Sequence, residues 1–303
     1  MLKDTMLHLA QQERVREFIS TNSASRRVAR RFVAGETLDE ALDVTRALNA
    51  RHIHVTLDHL GENVADAAEA RASAETYCAI LQRIADANLD ANISIKLTAL
   101  GLDIDEGLCR QNLATVLRAA REHDIFVRVD MEGSAYTQKT LDIVLDMRKE
   151  SELIGTVIQS MLYRSEKDVE RLIETATRVR LVKGAYLEPA SVAYPRKADV
   201  DAAYVKLMHR LLEHGTYPAI ATHDQDIIED ARHFAAEHDI ARARFEFQML
   251  YGIRRDLQER LAREGYDVRV YVPYGTHWYP YLTRRLAERP ANLVFVLSNA
   301  LRG

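Results

Sequence analysis

The spacing of hydrophobic and polar positions changes near residue 51. Before it, apolar residues recur at helical intervals through Leu7 to Ile19 and then Val28 to Val33. Thr37, with Glu40 three positions on, reads as a capping box that opens a further helix. After it, short β-rich runs alternate with longer amphipathic stretches. The runs are His52–Leu57, Asn92–Leu97, Ile125–Met131, Gly155–Ser160, Val179–Tyr186, Ala219–His223, Phe245–Leu250 and Val268–Pro273. Helical segments follow near 64–88, 106–123, 137–150, 166–178, 199–214, 225–238, 254–264 and 276–289. Repeated strand–helix units on this scale predict an α/β chain folded as a (β/α)8 TIM-type barrel. A doubly wound open sheet competes with it. That fold wants a Gly-rich turn after its first strand, and LDHLGENVADA carries a single Gly. The expected organisation is a helical arm over 1–50 and a barrel over 51–303, with the apolar stretch Asn292–Leu301 packed back on it.

Alternation within the strands separates two faces. In HIHVTLD, Ile53, Val55 and Leu57 oppose His54, Thr56 and Asp58. In NISIKL, Ile93, Ile95 and Leu97 oppose Asn92, Ser94 and Lys96. Val127 and Val129 oppose Arg128 and Asp130, and Phe245 and Phe247 oppose Glu246 and Gln248. The apolar faces meet the outer helices, which leaves the polar ones in the lumen. Most barrel interiors are packed Val, Ile and Leu. Burying polar groups is costly unless they pair with one another or with a ligand. Two readings follow: an ion-pair network that only holds the barrel, or a site for polar chemistry. Lys96 fits either, as half of a salt bridge with Asp130 or as an anion-binding or Schiff-base lysine.

The strongest local signal is VYVPYGTHWYPYLTRRLAERPAN. Thr276 is a candidate N-cap for the last helix. Tyr281, Arg284, Arg285 and Glu288 then share one helical face. Paired guanidiniums form a fork suited to a carboxylate, although a solvated helix also tolerates Arg and Glu. The aromatic density of Tyr271, Tyr274, Trp278, Tyr279 and Tyr281 favours a pocket over open surface. In RVRLVKGAY, Arg180 leads into a Lys183-Gly184-Ala185 turn. Such a turn can let a phosphate approach the backbone or can simply end a strand.

The 303 residues are 28% charged with a formal net charge of -4, so no basic footprint for nucleic acid exists. Two cysteines, Cys78 and Cys109, are too few for a disulfide framework and too far apart for a structural zinc site. The N-terminus reaches charge too soon for a signal peptide, and no apolar run approaches the roughly 20 residues that span a bilayer. A cytoplasmic protein is expected, with peripheral contact at the inner face of the membrane left open.

Together the stretches SIKLTALG, VRVDMEG, VIQSML, RLVKGAY, ATHDQ, FEFQMLYG and YVPYGTHWYPYLTRRLAE resemble the proline dehydrogenase family, in the family's order. The chain is similar to the short monofunctional bacterial type. The resemblance implies a distorted barrel with the last helix over its mouth, noncovalent FAD, oxidation of L-proline to Δ1-pyrroline-5-carboxylate, and a membrane quinone as electron acceptor. It implies that Lys96, Arg284 and Arg285 hold the proline carboxylate, while Tyr186, Leu250, Tyr271 and Tyr281 line the ring pocket. Asp130 and Arg180 become the catalytic pair. Met131, Gln159, Val182, Lys183, Gly184, Ala185, Thr222, His223 and Glu288 become flavin contacts. Glu62 becomes a gate that pairs with Arg180. Leu187 and Asp224 depart from the family's usual Trp and Asn. A homo-oligomer is compatible with all of this.

Other readings of the same residues are a metal-dependent barrel enzyme using His54, Asp130, Glu132, His223 and Glu246, a Schiff-base aldolase, and a non-enzymatic binding barrel. No HExxH spacing supports the first, and the HxH of His52 and His54 sits at the start of its run, away from the strand ends. No metal is expected.

Overall fold

The structure, a computed structural model, describes residues 29–61 and 64–288, with side chains as far as Thr283. The helix expected over Leu7 to Ile19 and the stretch Asn292–Leu301 lie outside the described residues.

Helix α1 (Leu38–Asn49) opens the described fold, with the Thr37–Glu40 capping box formed in both directions. Eight parallel strands then close into a barrel in sequence order: β1 (His54–His59), β2 (Ala91–Ile95), β3 (Val127–Val129), β4 (Ile154–Gln159), β5 (Arg178–Val182), β6 (Ala219–Ala221), β7 (Glu246–Leu250) and β8 (Asp267–Tyr274). Between them run α2 (Ala67–Asp86), α3 (Glu106–Glu122), α4 (Thr137–Arg148), α5 (Ser165–Glu174), α6 (Lys197–His214), α7 (Gln225–Glu237) and α8 (Arg255–Arg263). Asp66, Asp105 and Asp224 cap α2, α3 and α7 by accepting from first-turn amides. The barrel rather than the open sheet is the outcome.

Sidedness follows the alternation in the sequence. Val55, Leu57, Ile93, Ile95, Val127, Val129, Phe245 and Phe247 are fully buried with the inner faces of the helices in one continuous core. The opposite faces point into the lumen, where Thr56 donates to Asn92 across β1 and β2 at 2.5 Å.

Residues on the barrel floor show how a large cation is accommodated. Arg128 on β3 is 2% exposed. Its Nη1 donates to the carbonyls of Thr156 and Arg178 at 3.1 and 2.8 Å, and its guanidinium lies over the Phe126 ring. Burial, then the neighbouring charge of Arg180, pushes its pKa far down. Gly155 is in register with Arg128 on one side and Arg178 on the other. A Cβ there would stand 2.7 Å from the Phe126 ring and 3.1 Å from Arg128 Nη1. Glycine is therefore the space that admits Arg128.

Helix α9 (Trp278–Glu288) begins two residues beyond Thr276. Trp278, Tyr279, Tyr281 and Leu282 are buried with Ala29, Phe32, Val33 and Leu60, and Tyr271 packs against this cluster. The helix thus lies over the carboxyl ends of the strands. The aromatic run anchors it, so Trp278 and Tyr279 serve as packing rather than as an open pocket wall.

Two outcomes test this account. Gly155→Ala overpacks the floor and displaces Arg128, so urea unfolding is expected to show a loss of about 1–3 kcal/mol with an unchanged slope. The second concerns His54, whose Nδ1 is 2.5 Å from Asp90. That hydrogen bond raises its pKa against the opposing effects of burial and Arg269. A raised folded pKa stabilises fully below about 6.5 and ceases to do so as pH rises through the folded value. The stability gap between the wild type and His54→Gln should therefore narrow as pH increases, as measured by unfolding at a series of pH values.

Candidate active site

Charged side chains from four strands and a tyrosine from a fifth meet where the strands end under α9. Lys96, just beyond β2, places Nζ 3.1 Å from Asp58 Oδ1 on β1 and 4.0 Å from Asp130 Oδ2. The expected Lys96–Asp130 contact is thus longer than the one to Asp58, which is 1% exposed. The geometry explains the preference. Asp58 is in register with Ser94, and Lys96 is the next inward position after Ser94, so its stem leans back over β1.

Asp130, just after β3, is the hub. Its Oδ1 accepts from Ser94 Oγ at 2.9 Å and from Arg180 Nη1 at 2.8 Å. Its Oδ2 accepts from the Tyr271 hydroxyl at 2.8 Å. Burial, reinforced by the Asp130 charge, raises the Tyr271 pKa far above the usual phenol value, so the ring stays neutral and donates. Arg180 also lies over the Tyr271 ring, 5.2 Å from its centroid. Arg180 is 5% exposed, and its Nη2 is buried with no hydrogen-bond acceptor among the described residues. Arg128 Nε on the floor is open in the same way, but only the Arg180 nitrogen stands at the strand ends, where a ligand atom could accept from it.

The expected flavin contacts fall along the other strand ends. Gln159 closes β4 and donates to the Glu132 carbonyl at 2.8 Å, with Met131 buried nearby in the core. Val182 is its register partner on β5. Gly184 adopts φ +113, and a Cβ there would stand 2.7 Å from Met161 Cε, so both conformation and space demand glycine. Ala185 follows it and is partly exposed. Thr222 Oγ1 accepts from the Asp224 amide at 3.1 Å. His223 Nε2 accepts from the Leu250 amide at 2.9 Å, which puts the proton of the neutral ring on Nδ1. Lys183 stands between Asp201 and Asp224 at 2.7 and 2.9 Å. Its hydrogen bond is the chief cause that holds the Asp224 pKa below the ordinary value.

Leu250 lies next to Tyr271 in register, and Tyr281 is buried above it in the α9 cluster. Tyr186 packs on Met161, Leu162 and Ala193 in the loops after β4 and β5. Leu187 is 61% exposed, so the departure from the usual Trp costs the fold no packing. Glu62 lies outside the described residues. Arg284, Arg285 and Glu288 lie on the backbone of α9, with their side chains outside the described residues. The described partners of Arg180 are Asp130 and Gln248.

Asp58, Ser94 and Gln248 carry the site's geometry without having been singled out in the sequence. The period-2 alternation had already put all three on the lumen face, and only pairing across strands reveals their use. The five residues considered as metal ligands do not converge. Among the described residues no group of three such side chains could hold a metal ion. Glu132 accepts from Thr98, while Glu246 pairs with Arg269.

A parallel eight-stranded barrel whose strand ends carry the linked group Asp58, Lys96, Asp130, Arg180 and Tyr271 has the architecture of a barrel enzyme. Known proteins identify which one. The family model described as proline dehydrogenase matches residues 41–298. The chain is 44% identical over 302 residues to proline dehydrogenase 1 of Bacillus subtilis subsp. natto, covering 100% of both. It is 46% identical over 277 residues to proline dehydrogenase 2 of B. subtilis strain 168, covering 91% of each. Among solved structures, proline utilization A from Bdellovibrio bacteriovorus, inactivated by N-propargylglycine, matches with a TM-score of 0.81 at 30% identity. That match covers 86% of this chain and 32% of the other, so the chain spans about a third of that protein's length. The chain belongs to the proline dehydrogenase family and is an enzyme of that activity.

Lys96→Met tests the mouth directly. Asp58 would be left buried without its cation. The thermal or urea stability of the ligand-free protein is expected to fall by about 3 kcal/mol. An unchanged midpoint would show that the pair contributes no net stability.

Proposed function

We propose that this chain oxidises L-proline to Δ1-pyrroline-5-carboxylate with a noncovalently bound FAD and passes the electrons to a membrane quinone. One observation carries the reading: the Lys96–Asp58 and Arg180–Asp130–Tyr271 pairs at the strand ends, with Arg180 Nη2 buried and without an acceptor among the described residues. The chemistry of the donors fits a flavin. Arg180 offers a guanidinium nitrogen without a described acceptor, Lys183, held by Asp201 and Asp224, would stand near the phosphates, Gly184 would let the backbone come close, and Met131, Gln159, Val182, Ala185, Thr222, His223 and Glu288 would supply the remaining contacts. When bound, the flavin accepts a hydride.

The protein's part is positioning. Proline must lose a hydride from C5 and a proton from nitrogen, so the nitrogen must be neutral when the hydride leaves. A site that already holds Lys96 and Arg180, with Arg284 and Arg285 on α9, disfavours an ammonium and favours a carboxylate. Lys96, Arg284 and Arg285 would hold that carboxylate. Leu250, Tyr271, Tyr281 and Tyr186 would enclose the ring and exclude water. Asp130 does not act as a base in this scheme. It fixes Arg180 and Tyr271, so that a guanidinium would stand ready to stabilise negative charge on a reduced flavin. Glu62 would close the site against Arg180. No helix among the described residues is long and apolar enough to cross a membrane. Delivery to a quinone therefore calls for peripheral contact with the membrane surface from the cytoplasmic side.

The purified protein should be yellow, with flavin absorbance that bleaches on anaerobic addition of proline and returns with a soluble quinone. N-propargylglycine, which inactivates the B. bacteriovorus protein, should abolish the bleaching irreversibly. Arg284→Ala and Arg285→Ala should each raise the KM for proline about tenfold or more while flavin stays bound. A colourless protein would overturn the flavin reading, and near-wild-type KM in both variants would overturn the carboxylate clamp.

A further inference from the structure

Arg180 has three hydrogen-bonding nitrogens, and the structure accounts for the orientation of each. Nη1 is fixed by Asp130 and Nη2 is open. Nε donates to Gln248 Oε1 at 2.5 Å, a contact reaching from β5 across β6 to β7. The reach is possible because β6 presents only small side chains inward. Ala219 is in register with Arg180 and Glu246, and Ala221 with Gln248.

An amide can present either its oxygen or its nitrogen to a neighbour, and only the oxygen accepts from Arg180. Gln248 is not free to choose. Its Nε2 donates to Glu246 Oε1, two residues back on the same inward face. Glu246 in turn is held by Arg269 Nε at 2.9 Å, and Arg269 Nη1 is tied to the Val55 carbonyl at 2.9 Å. Glu246 and Gln248 are 1% and 3% exposed. Burial pushes the Glu246 pKa up, but the Arg269 charge and the Gln248 hydrogen bond bring it below the ordinary value, so it remains an acceptor. Each link therefore has one allowed polarity, running from the floor of the barrel to the mouth.

We propose that Gln248, locked by Glu246 and Arg269, is the positioning residue for Arg180. It points Nη2 at the reacting centre without adding charge. Its neutrality matters. A carboxylate at 248 would hold Nε equally well but would cancel the positive charge that a hydride acceptor needs nearby. This inference rests on the proposed role of Arg180 at the flavin.

Two readouts separate the inference from the reading beneath it. In flavin-free protein labelled with nitrogen-15 arginine, the Arg180 Nε–H signal, assigned by its loss in Arg180→Lys, should be protected from exchange. Gln248→Leu should reduce that protection about tenfold or more. The exchanged pair Glu246→Gln with Gln248→Glu keeps an acceptor against Nε and a donor between the two side chains, and should restore protection. In the flavin-loaded enzyme, Gln248→Leu should lower kcat about tenfold and leave the proline KM within about twofold. Protection unchanged in Gln248→Leu overturns the positioning role. Protection lost with kcat unchanged overturns the use of Arg180 at the flavin, and with it the inference. If Gln248→Leu fails to fold, Glu246→Gln carries the same test, because it removes the polarity lock and leaves Gln248 in place.

Discussion

Ionised side chains inside a closed cylinder must find an answering charge or dipole, and the interior of this barrel is organised by that requirement. Asp130 meets it most fully, taking Ser94, Arg180 and Tyr271 on its two oxygens. Asp58 answers Lys96, and Glu246 answers Arg269. The pairs join neighbouring or nearby strands, so each also fixes how those strands stand against one another. A buried carboxylate without its partner would cost several kcal/mol. The polar lumen therefore leaves little freedom in register, even though it lacks the packed Val, Ile and Leu of an ordinary barrel interior.

The floor and the mouth meet the same requirement with different partners. At the floor, Arg128 Nη1 donates to two backbone carbonyls, which belong to the sheet and cannot move independently, and the guanidinium is covered by the Phe126 ring with its Nε buried and without an acceptor among the described residues. At the mouth, Lys96 and Arg180 are paired with side chains, and Arg180 keeps one nitrogen open. Substrate and cofactor can exploit only the second arrangement. Small residues make both possible: Gly155 admits the Arg128 guanidinium, and Ala219 lets Arg180 reach across to β7. The open ends of the strands at the mouth are covered by α9, which is fastened by apolar contact to residues 29–33 and to Leu60.

Legibility differed from one part of the chain to another for physical reasons. The alternation in HIHVTLD, NISIKL and FEFQ put the right residues on the right faces, because a closed sheet with helices outside leaves no other place for an apolar row. The capping box at Thr37 was equally local and equally readable. Pair choice was not. Lys96 favours Asp58 over Asp130 because of how far β1 is staggered against β2, and stagger is a property of barrel closure. The aromatic run after β8 suggested a pocket wall, yet Trp278 and Tyr279 are spent on holding α9 down. Aromatic density alone cannot separate an anchor from a wall, since both bury rings. Start points were missed in the same way: α9 begins at Trp278, beyond the Thr276 that resembled a cap.

By itself the sequence determined the barrel, the sidedness of its strands and the set of charged residues near the strand ends, because hydrophobic periodicity and strand order are written along one dimension. Tertiary structure alone decided the chain from Arg269 through Glu246 and Gln248 to Arg180, and the convergence of Ser94, Arg180 and Tyr271 on Asp130. The residues that converge on Asp130 lie tens to more than a hundred positions from it in sequence. Only the curvature of the closed sheet brings their side chains within hydrogen-bonding distance.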